Sequence, residues 1–265
     1  MSTLDLTPEL RRATRRVTRL ARTNATLVMR NRLTLSYALV MPLLPLGLLF
    51  LGDRGDVDAG SGIIATGVLM ALMFPVYYNL LSMFVSRRDE LVLKRLRTGE
   101  IRDVELVLSM ALPGVAITVV VSVLTVGVAM ANGLPFPLNP LLLLVVVLMS
   151  AAAFAALALW TASWTRTAEA AQMTSMPVVL LGTAGLLRPA VPESAQDWLA
   201  LLPGSAVSDL LRIAWFGRPA ELGSSTRFDF WETWSHSAAP LGVLAAWTVV
   251  SIWLARRSMQ WEPRS

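Results

Sequence analysis

The chain has 265 residues, of which 55% are hydrophobic and 15% are charged, and its mean hydropathy is +0.58. Soluble domains carry about 25% charged residues, so this composition predicts an integral membrane protein. Cysteine is absent and His236 is the only histidine. These two facts exclude a disulfide framework, a thiolate metal site and most catalytic sites built on histidine.

Six apolar stretches predict transmembrane helices, because about twenty helical residues cross a hydrocarbon layer roughly 30 Å thick. In chain order they lie at about 33–51, 62–85, 106–131, 139–164, 172–187 and 237–255. None of them contains Asp, Glu, Lys, Arg or His, the groups that proton relays and many ion-coupled carriers place within the membrane. The sequence therefore predicts an all-α polytopic membrane protein with a single transmembrane domain, residues 1–265.

The distribution of basic residues predicts the orientation of these spans. Eighteen Lys and Arg residues lie in the N-terminal segment, the second and fourth connections and the C-terminal tail, and five lie in the other connections. Lysine and arginine concentrate on the cytoplasmic side, so both termini are expected there. Lys94 is the only lysine, a bias typical of a GC-rich bacterial genome, and the expected location is a bacterial inner membrane. Topology accounts for the positive charge, so no nucleic-acid partner is needed.

The cytoplasmic segment 1–32 predicts an amphipathic helix before the first span. Apolar residues recur there at three- and four-residue steps, which is typical of a helix lying on the membrane surface with its basic side toward anionic head groups. The arginines between the apolar positions are Arg11, Arg12, Arg15, Arg16 and Arg19. The pattern fits both a simple interfacial anchor and a helix that also contacts a partner.

The external connection 188–236 contains an apolar run that is interrupted by Pro203 and Gly204. Each half of the run is too short to cross the membrane alone. A seventh span would also move the basic C-terminal tail to the other side. The sequence therefore predicts a re-entrant or interfacial helical hairpin between spans five and six.

Polar side chains within the spans are few, and the candidate pathway residues are Tyr77, Asn79, Thr118 and Ser122. Hydrogen bonding between helices is the commoner use of such groups, and contact with a transported molecule is the alternative. The chain contains no Gly-x-x-x-x-Gly-Lys-Ser/Thr phosphate loop, so it is not expected to hydrolyse ATP itself.

The connection between spans two and three contains the stretch "SRRDELVLKRLRTGE", residues 86–100. Val92 and Leu93 lie three or four residues before Leu96, so all three share one helical face, and Glu90 and Lys94 form a favourable i,i+4 pair. The segment 86–104 therefore predicts a short amphipathic helix that rests on its own membrane domain and offers charged side chains to a soluble partner.

The stretch "RRDELVLKRLRTGEIRDVELVLSMAL", residues 87–112, resembles the charged segment between the second and third spans of ABC-2 type permeases. The stretch "LLPGSAVSDLLR", residues 201–212, is similar to the external segment that precedes their last span. Relatives commonly have proline after the threonine of the charged run, where this chain has Gly99. In that family the charged segment is a coupling helix that docks in a cleft of an ATPase subunit. The resemblance implies this role for Arg88, Asp89, Glu90, Lys94, Arg95 and Arg97, with Leu93 and Leu96 holding the helix to its own domain.

The resemblance implies the membrane subunit of a bacterial ABC exporter of the drug-resistance or natural-product type. It implies a homodimer or heterodimer of permease chains with two ATPase copies, and amphiphilic or hydrophobic cargo such as a drug, natural product, lipid-linked molecule or peptide. ATP and Mg²⁺ are then expected in the ATPase, with no catalytic residue, cofactor or metal in this chain. The alternatives are an ion-coupled secondary carrier and a non-transporting anchor or signalling partner.

Overall fold

The computed structural model describes residues 8–91, 93, 101–219 and 226–259, and the secondary structure within these ranges is helical, without a strand. The α-helices are α1 (Pro8–Arg30), α2 (Arg32–Leu43), α3 (Val57–Ala71), α4 (Asn79–Asp89), α5 (Asp103–Ala131), α6 (Pro140–Ala162), α7 (Ala171–Thr174), α8 (Met176–Thr183), α9 (Glu193–Ala200), α10 (Pro203–Phe216), α11 (Glu232–His236) and α12 (Ala238–Ser258). A π-helical turn, Leu72–Tyr78, joins α3 to α4, and 3₁₀ turns cover Pro45–Phe50 and Ala184–Ala190.

Four helical stretches in the described part of the chain are long and apolar enough to cross a membrane: Val57–Asp89, Asp103–Ala131, Pro140–Ala162 and Ala238–Ser258. Two bent pairs could add one crossing each. The pair Arg11–Arg30 and Leu35–Phe50 is bent by 76°, and the pair Ser194–Ala200 and Pro203–Phe216 is bent by 87°. The fold therefore contains four to six candidate spans.

Two of the six predicted spans are interrupted. The first consists of α2 and a 3₁₀ turn, with Pro42 inside α2 and Pro45 at the start of the turn. The fifth, predicted at 172–187, is divided among α7, α8 and the 3₁₀ turn that follows, with Pro177 in the first turn of α8. Proline lacks the backbone N–H that a continuous helix requires, so apolar length alone overestimated the regularity of these segments.

The π-helical turn is the point where the two longest candidate spans pack together. Because Pro75 has no N–H, the carbonyl of Ala71 loses its usual helical donor, and the Thr118 hydroxyl of α5 donates to that carbonyl at 2.7 Å. Gly114 lets α5 approach closely, since a Cβ atom there would lie 2.1 Å from the carbonyl oxygen of Pro75. The neighbouring helix thus compensates for the irregular backbone, as membrane proteins require.

The connections gather at two ends of the helix bundle. At what we call the hairpin end, the amides of Leu138 and Asn139 donate to the carbonyls of Trp215 and Ala214, and the Asn132 side chain donates to the carbonyl of Leu49. These bonds join the 132–139 connection to α10 and to the 3₁₀ turn after α2. The other end, which we call the basic end, contains α1, the end of α4, the start of α5 and residues 163–170. The sequence predicted that the N-terminal segment and the second and fourth connections lie on one side of the spans, and α1, the end of α4 and residues 163–170 lie at one end of the bundle.

Candidate functional site

The end of α4 is fixed at the basic end by a buried arginine. The side chain of Arg88 has no exposed surface. Its guanidinium donates to the carbonyls of Ala162 at 2.8 Å, Thr165 at 2.6 Å and Arg166 at 3.3 Å, and its Nε lies 3.6 Å from an oxygen of Asp89. Carbonyls at the end of a helix have no partner within the helix. Arg88 therefore caps the end of α6 and ties α4 to it, an arrangement that we call the Arg88 clamp.

The Arg88 clamp corrects the docking role predicted for this residue, because a fully buried side chain cannot meet a soluble partner in this conformation. Sequence reasoning missed the burial because Arg88 lies in a charged run, where exposure is the usual expectation. The next two residues of the predicted set, Asp89 and Glu90, are exposed. Four others, Lys94, Arg95, Leu96 and Arg97, lie outside the described residues.

The chain turns sharply where it leaves α4. Leu91 has a φ of +59°, in the left-handed region that favours glycine, and its amide donates to the carbonyl of Arg88 at 3.0 Å. Two residues later Leu93 is fully buried within the hydrophobic core. The Arg88 clamp and Leu93 thus anchor the chain on both sides of Asp89 and Glu90. This exposed acidic pair is therefore held in a fixed position relative to the bundle.

Helix α1 is attached to the bundle through α5. The Arg16 guanidinium donates twice to the Glu105 carboxylate, at 2.9 and 2.7 Å. Pro113 lies within α5 and leaves the carbonyl of Ser109 without its helical donor. The buried Asn24 side chain donates to that carbonyl at 2.8 Å and accepts from Arg87 of α4 at 2.6 Å. A single asparagine therefore links α1, α4 and α5.

The five arginines predicted to face head groups divide into two sets. Arg16 is partly buried in its ion pair with Glu105, so it holds α1 to the bundle. Arg11, Arg12, Arg15 and Arg19 have exposed side chains. The charged side predicted for α1 is thus present, and one of its arginines serves a packing role that periodicity did not reveal.

The candidate pathway residues mostly hydrogen-bond within the bundle. Tyr77 donates to the Thr161 hydroxyl at 3.1 Å, Thr118 binds the Ala71 carbonyl, and Ser122 donates to the carbonyl of Thr118 at 2.9 Å. Tyr77, Thr118 and Ser122 are buried, and Asn79 is partly exposed. The geometry favours the helix-packing interpretation for Tyr77 and Thr118, which bond to other helical segments, whereas the bond of Ser122 lies within α5.

A charged cluster at the hairpin end was not found from the sequence. Arg212 of α10 is 5% exposed and donates to the carboxylate of Asp58 at 2.5 Å, the hydroxyl of Ser61 at 2.7 Å and the carbonyl of Pro219 at 2.8 Å. Arg188 pairs with Asp209 at 2.7 Å. The available signal was one arginine and one aspartate within an otherwise apolar run, residues 198–216, where isolated charges require partners.

The two ion pairs border a cavity of about 830 Å³ between α3, the 3₁₀ turn Pro45–Phe50 and α10. Gly185, which lines the cavity, belongs to a segment that packs closely against the start of α10: a Cβ atom on Gly204 would lie 1.9 Å from the carbonyl oxygen of Gly182. A Cβ atom on Gly185 would lie 2.6 Å from the backbone of Ser205. The segment 182–185 and the start of α10 therefore form one unit.

Within the described ranges, no group of three or more His, Cys, Asp or Glu side chains could hold a metal ion. The geometry at the two ends is instead that of a helical membrane domain with a buried clamp at one end and a charged cavity at the other.

No curated protein matches the sequence. The family model described as "ABC-2 family transporter protein" matches residues 40–257 of the 265. The matched region begins within α2 and contains the Arg88 clamp, the cavity at the hairpin end and nearly all of α12. It confirms the resemblance found from the charged stretch, and it implies a membrane transport component that works with an ABC ATPase subunit. The chain therefore belongs to the ABC-2 family of transporter proteins, as a multi-pass membrane permease.

Proposed function

We propose that this chain is the membrane subunit of an ATP-driven exporter in a bacterial inner membrane. Two permease chains enclose the pathway, and each binds one ATPase subunit, which holds ATP and Mg²⁺. The basic end faces the cytoplasm, α1 lies along the cytoplasmic membrane surface, and both chain termini are on that side. The family match over 40–257 is the observation that carries this proposal.

The structure around the end of α4 supports docking of the ATPase there. Asp89 and Glu90 are exposed, while Arg88 and Leu93 on either side of them are fully buried. A partner that pushes on the acidic pair would therefore move α4. It would also move α6, because Arg88 of α4 donates to the carbonyls of Ala162 and Thr165 at the end of α6. Closure of the ATPase pair would move these helices as rigid bodies, a common form of conformational switch.

Helix α1 is a second route by which motion at the basic end would reach the spans. Its ion pair and its Asn24 bond both join the first part of α5, the helix that leads out of the charged connection. A force on the charged connection would therefore move α1 and α5 together. This arrangement supports a mechanical role for α1 in addition to membrane anchoring.

The cargo we propose is amphiphilic or hydrophobic, such as a drug, a natural product, a lipid-linked molecule or a peptide. The four long candidate spans in the described part of the chain are strongly apolar. The buried polar groups Tyr77, Thr118 and Ser122 are occupied by bonds to neighbouring groups. A strongly hydrated solute would lose its water without compensation in such surroundings.

A pull-down in mild detergent tests the proposal. The tagged chain is isolated from its host and the recovered proteins are identified by mass spectrometry, for the wild type and for Glu90→Ala/Arg95→Ala. The matched control is Asp53→Ala/Arg54→Ala, which removes an exposed charge pair from the hairpin end. We expect an ATPase with a phosphate loop in the wild type and in the control, and a loss of at least about tenfold in the Glu90/Arg95 variant, equivalent to about 1.4 kcal/mol of docking energy.

Three results would contradict the proposal. Equal recovery of the ATPase with all three proteins would exclude the charged segment from docking. A preparation without an ATPase that still moves solute in proteoliposomes along an ion gradient would favour the secondary carrier. Stable complexes that show neither ATPase recovery nor transport would favour an anchor or signalling role.

A further inference from the structure

The cavity at the hairpin end has two chemically different walls. Pro45, Leu48 and Ile63 contribute apolar surface, while Arg188, Ser208 and Asp209 contribute polar groups. Its volume of about 830 Å³ lies within the range of about 300–1,000 Å³ that is usual for small-molecule sites. Such a cavity suits a molecule with a polar head and an apolar tail.

The two arginines that line the cavity differ in their hydrogen bonding. Arg212 uses Nε, Nη1 and Nη2 for the carbonyl of Pro219, the hydroxyl of Ser61 and the carboxylate of Asp58. It is therefore a structural residue. Among the described residues, the Arg188 guanidinium has one hydrogen-bond partner, Asp209, which it contacts through Nη1. A guanidinium has five N–H donors, so Arg188 retains donors for a ligand.

The charged side chains that line the cavity balance, because Arg188 and Arg212 pair with Asp209 and Asp58. Asp58 contacts Arg212 and also Arg218, whose Nη1 lies 3.7 Å from the same oxygen. The remaining donors of Arg188 are therefore the groups that favour an anion, in surroundings of reduced dielectric constant, where electrostatic interactions are stronger than in water. Arginine also binds phosphate and carboxylate through paired N–H donors.

We propose that this cavity binds an anionic amphiphile. Arg188 holds a phosphate or carboxylate head group, and the apolar tail lies against Leu48 and Ile63. The close packing of segment 182–185 against the start of α10 holds the segment that carries Arg188 beside Asp209 of α10, so the head group enters a preformed site rather than one assembled on binding.

Native mass spectrometry of the detergent-solubilised protein tests this site directly. The probes are lysophosphatidylglycerol, which is anionic, and lysophosphatidylcholine with the same acyl chain, which has no net charge. We expect the anionic probe to bind the wild type about tenfold more tightly. Equal affinity for the two probes would overturn the proposal.

The test variant is Arg188→Gln/Asp209→Asn, which keeps the net charge of the protein and allows an amide–amide hydrogen bond. Its control is Arg54→Gln/Asp53→Asn, the same pair of changes at exposed positions of the hairpin end. Loss of the anionic preference in the test variant alone supports the site, and its retention overturns it. If the test variant does not fold, photo-crosslinking of an anionic lysolipid to the wild type decides the question. Adducts within 45–66 or 184–212 support the site, and adducts confined to other segments overturn it.

The anionic amphiphile could be a membrane lipid or a transported molecule, and lipid extraction from the purified protein distinguishes them. Anionic phospholipid retained by the wild type and lost from the test variant identifies a bound lipid. Binding of the added probe to protein that retains no lipid identifies a site for cargo, and both results support the same head-group chemistry. None of these measurements needs the ATPase. A negative binding result would therefore leave the proposed export function unaffected, and failure to recover an ATPase in the pull-down would leave the binding site unaffected.

Discussion

Replacing Arg88 by glutamine should destabilise the protein, because the Arg88 clamp supplies the donors for carbonyls at the end of α6. The two shorter bonds, at 2.8 and 2.6 Å, come from a charged donor, and such bonds contribute about 1.5–3 kcal/mol each. Removing the buried charge offsets part of this loss of stability, because burying an ion has a desolvation penalty of its own. The shorter glutamine side chain cannot bridge both carbonyls, and we expect a net loss of about 3 kcal/mol in the free energy of unfolding.

Thermal unfolding in detergent, followed by tryptophan fluorescence, measures this loss. Trp160 and Trp164 contact each other edge to face, with ring centroids 4.2 Å apart, beside the clamped carbonyls. A loss of 3 kcal/mol corresponds to a fall in Tm of roughly 5–10 °C for a chain of this size. Arg12→Gln is the matched control, because Arg12 is exposed at the same end, and its Tm should change by less than about 2 °C.

An unchanged Tm for Arg88→Gln would show that the Arg88 clamp does not stabilise the fold, because the carbonyls at the end of α6 would then find other donors at no cost. Arg88→Lys adds a graded test. Lysine keeps the charge but lacks the planar fork that reaches several carbonyls at once, so its Tm should lie between those of the wild type and the glutamine variant.

Three further predictions concern the backbone and the attachment of α1. Leu91→Gly should raise the free energy of unfolding by about 0.5–1 kcal/mol, because it relieves a left-handed φ, and a lower Tm would contradict this. Gly114→Ala should lower the free energy of unfolding by about 1–3 kcal/mol through steric conflict. Gly127→Ala is the control on the same helix: its added Cβ has nothing within 4 Å, so it should be neutral or slightly stabilising. Equal effects of the two changes would contradict the close packing at Gly114. A double-mutant cycle of Arg16→Gln and Glu105→Gln should give a coupling energy of about 1–2 kcal/mol by thermal unfolding, and additive effects would show that the pair does not stabilise α1.

Apolar length and the distribution of arginine were sufficient to predict the helical membrane class and the grouping of connections at two ends. Both depend on local sequence: a helix about twenty residues long must be apolar to enter the bilayer. The interrupted spans were harder to predict, because the effect of a proline depends on its neighbours. Pro75 lies within the continuous stretch Val57–Asp89, where the backbone forms a π-helical turn and the Thr118 hydroxyl donates to the carbonyl of Ala71. The sequence near residue 75 does not indicate this partner, which lies 43 positions away.

The docking role of the charged stretch stays a prediction, and the structure adds a division of roles that the sequence did not reveal. Arg88 is buried because it bonds to carbonyls at the end of α6, and the ends of α4 and α6 meet only in the folded chain. The cavity at the hairpin end depends on contacts between Asp58 and Arg212, which are 154 residues apart. Both features are long-range pairings of charged side chains with groups that the local pattern does not specify.

Site-specific crosslinking tests most directly the claim that the end of α4 docks an ATPase. The chain contains no cysteine, so Glu90→Cys introduces a single reactive thiol at the proposed contact, and Arg54→Cys places one at the hairpin end as a control. After a short thiol–amine crosslinker is applied to native membranes, mass spectrometry identifies the attached protein. We expect a phosphate-loop ATPase on Glu90→Cys and none on Arg54→Cys. An ATPase on neither variant, or equally on both, would contradict the proposed docking.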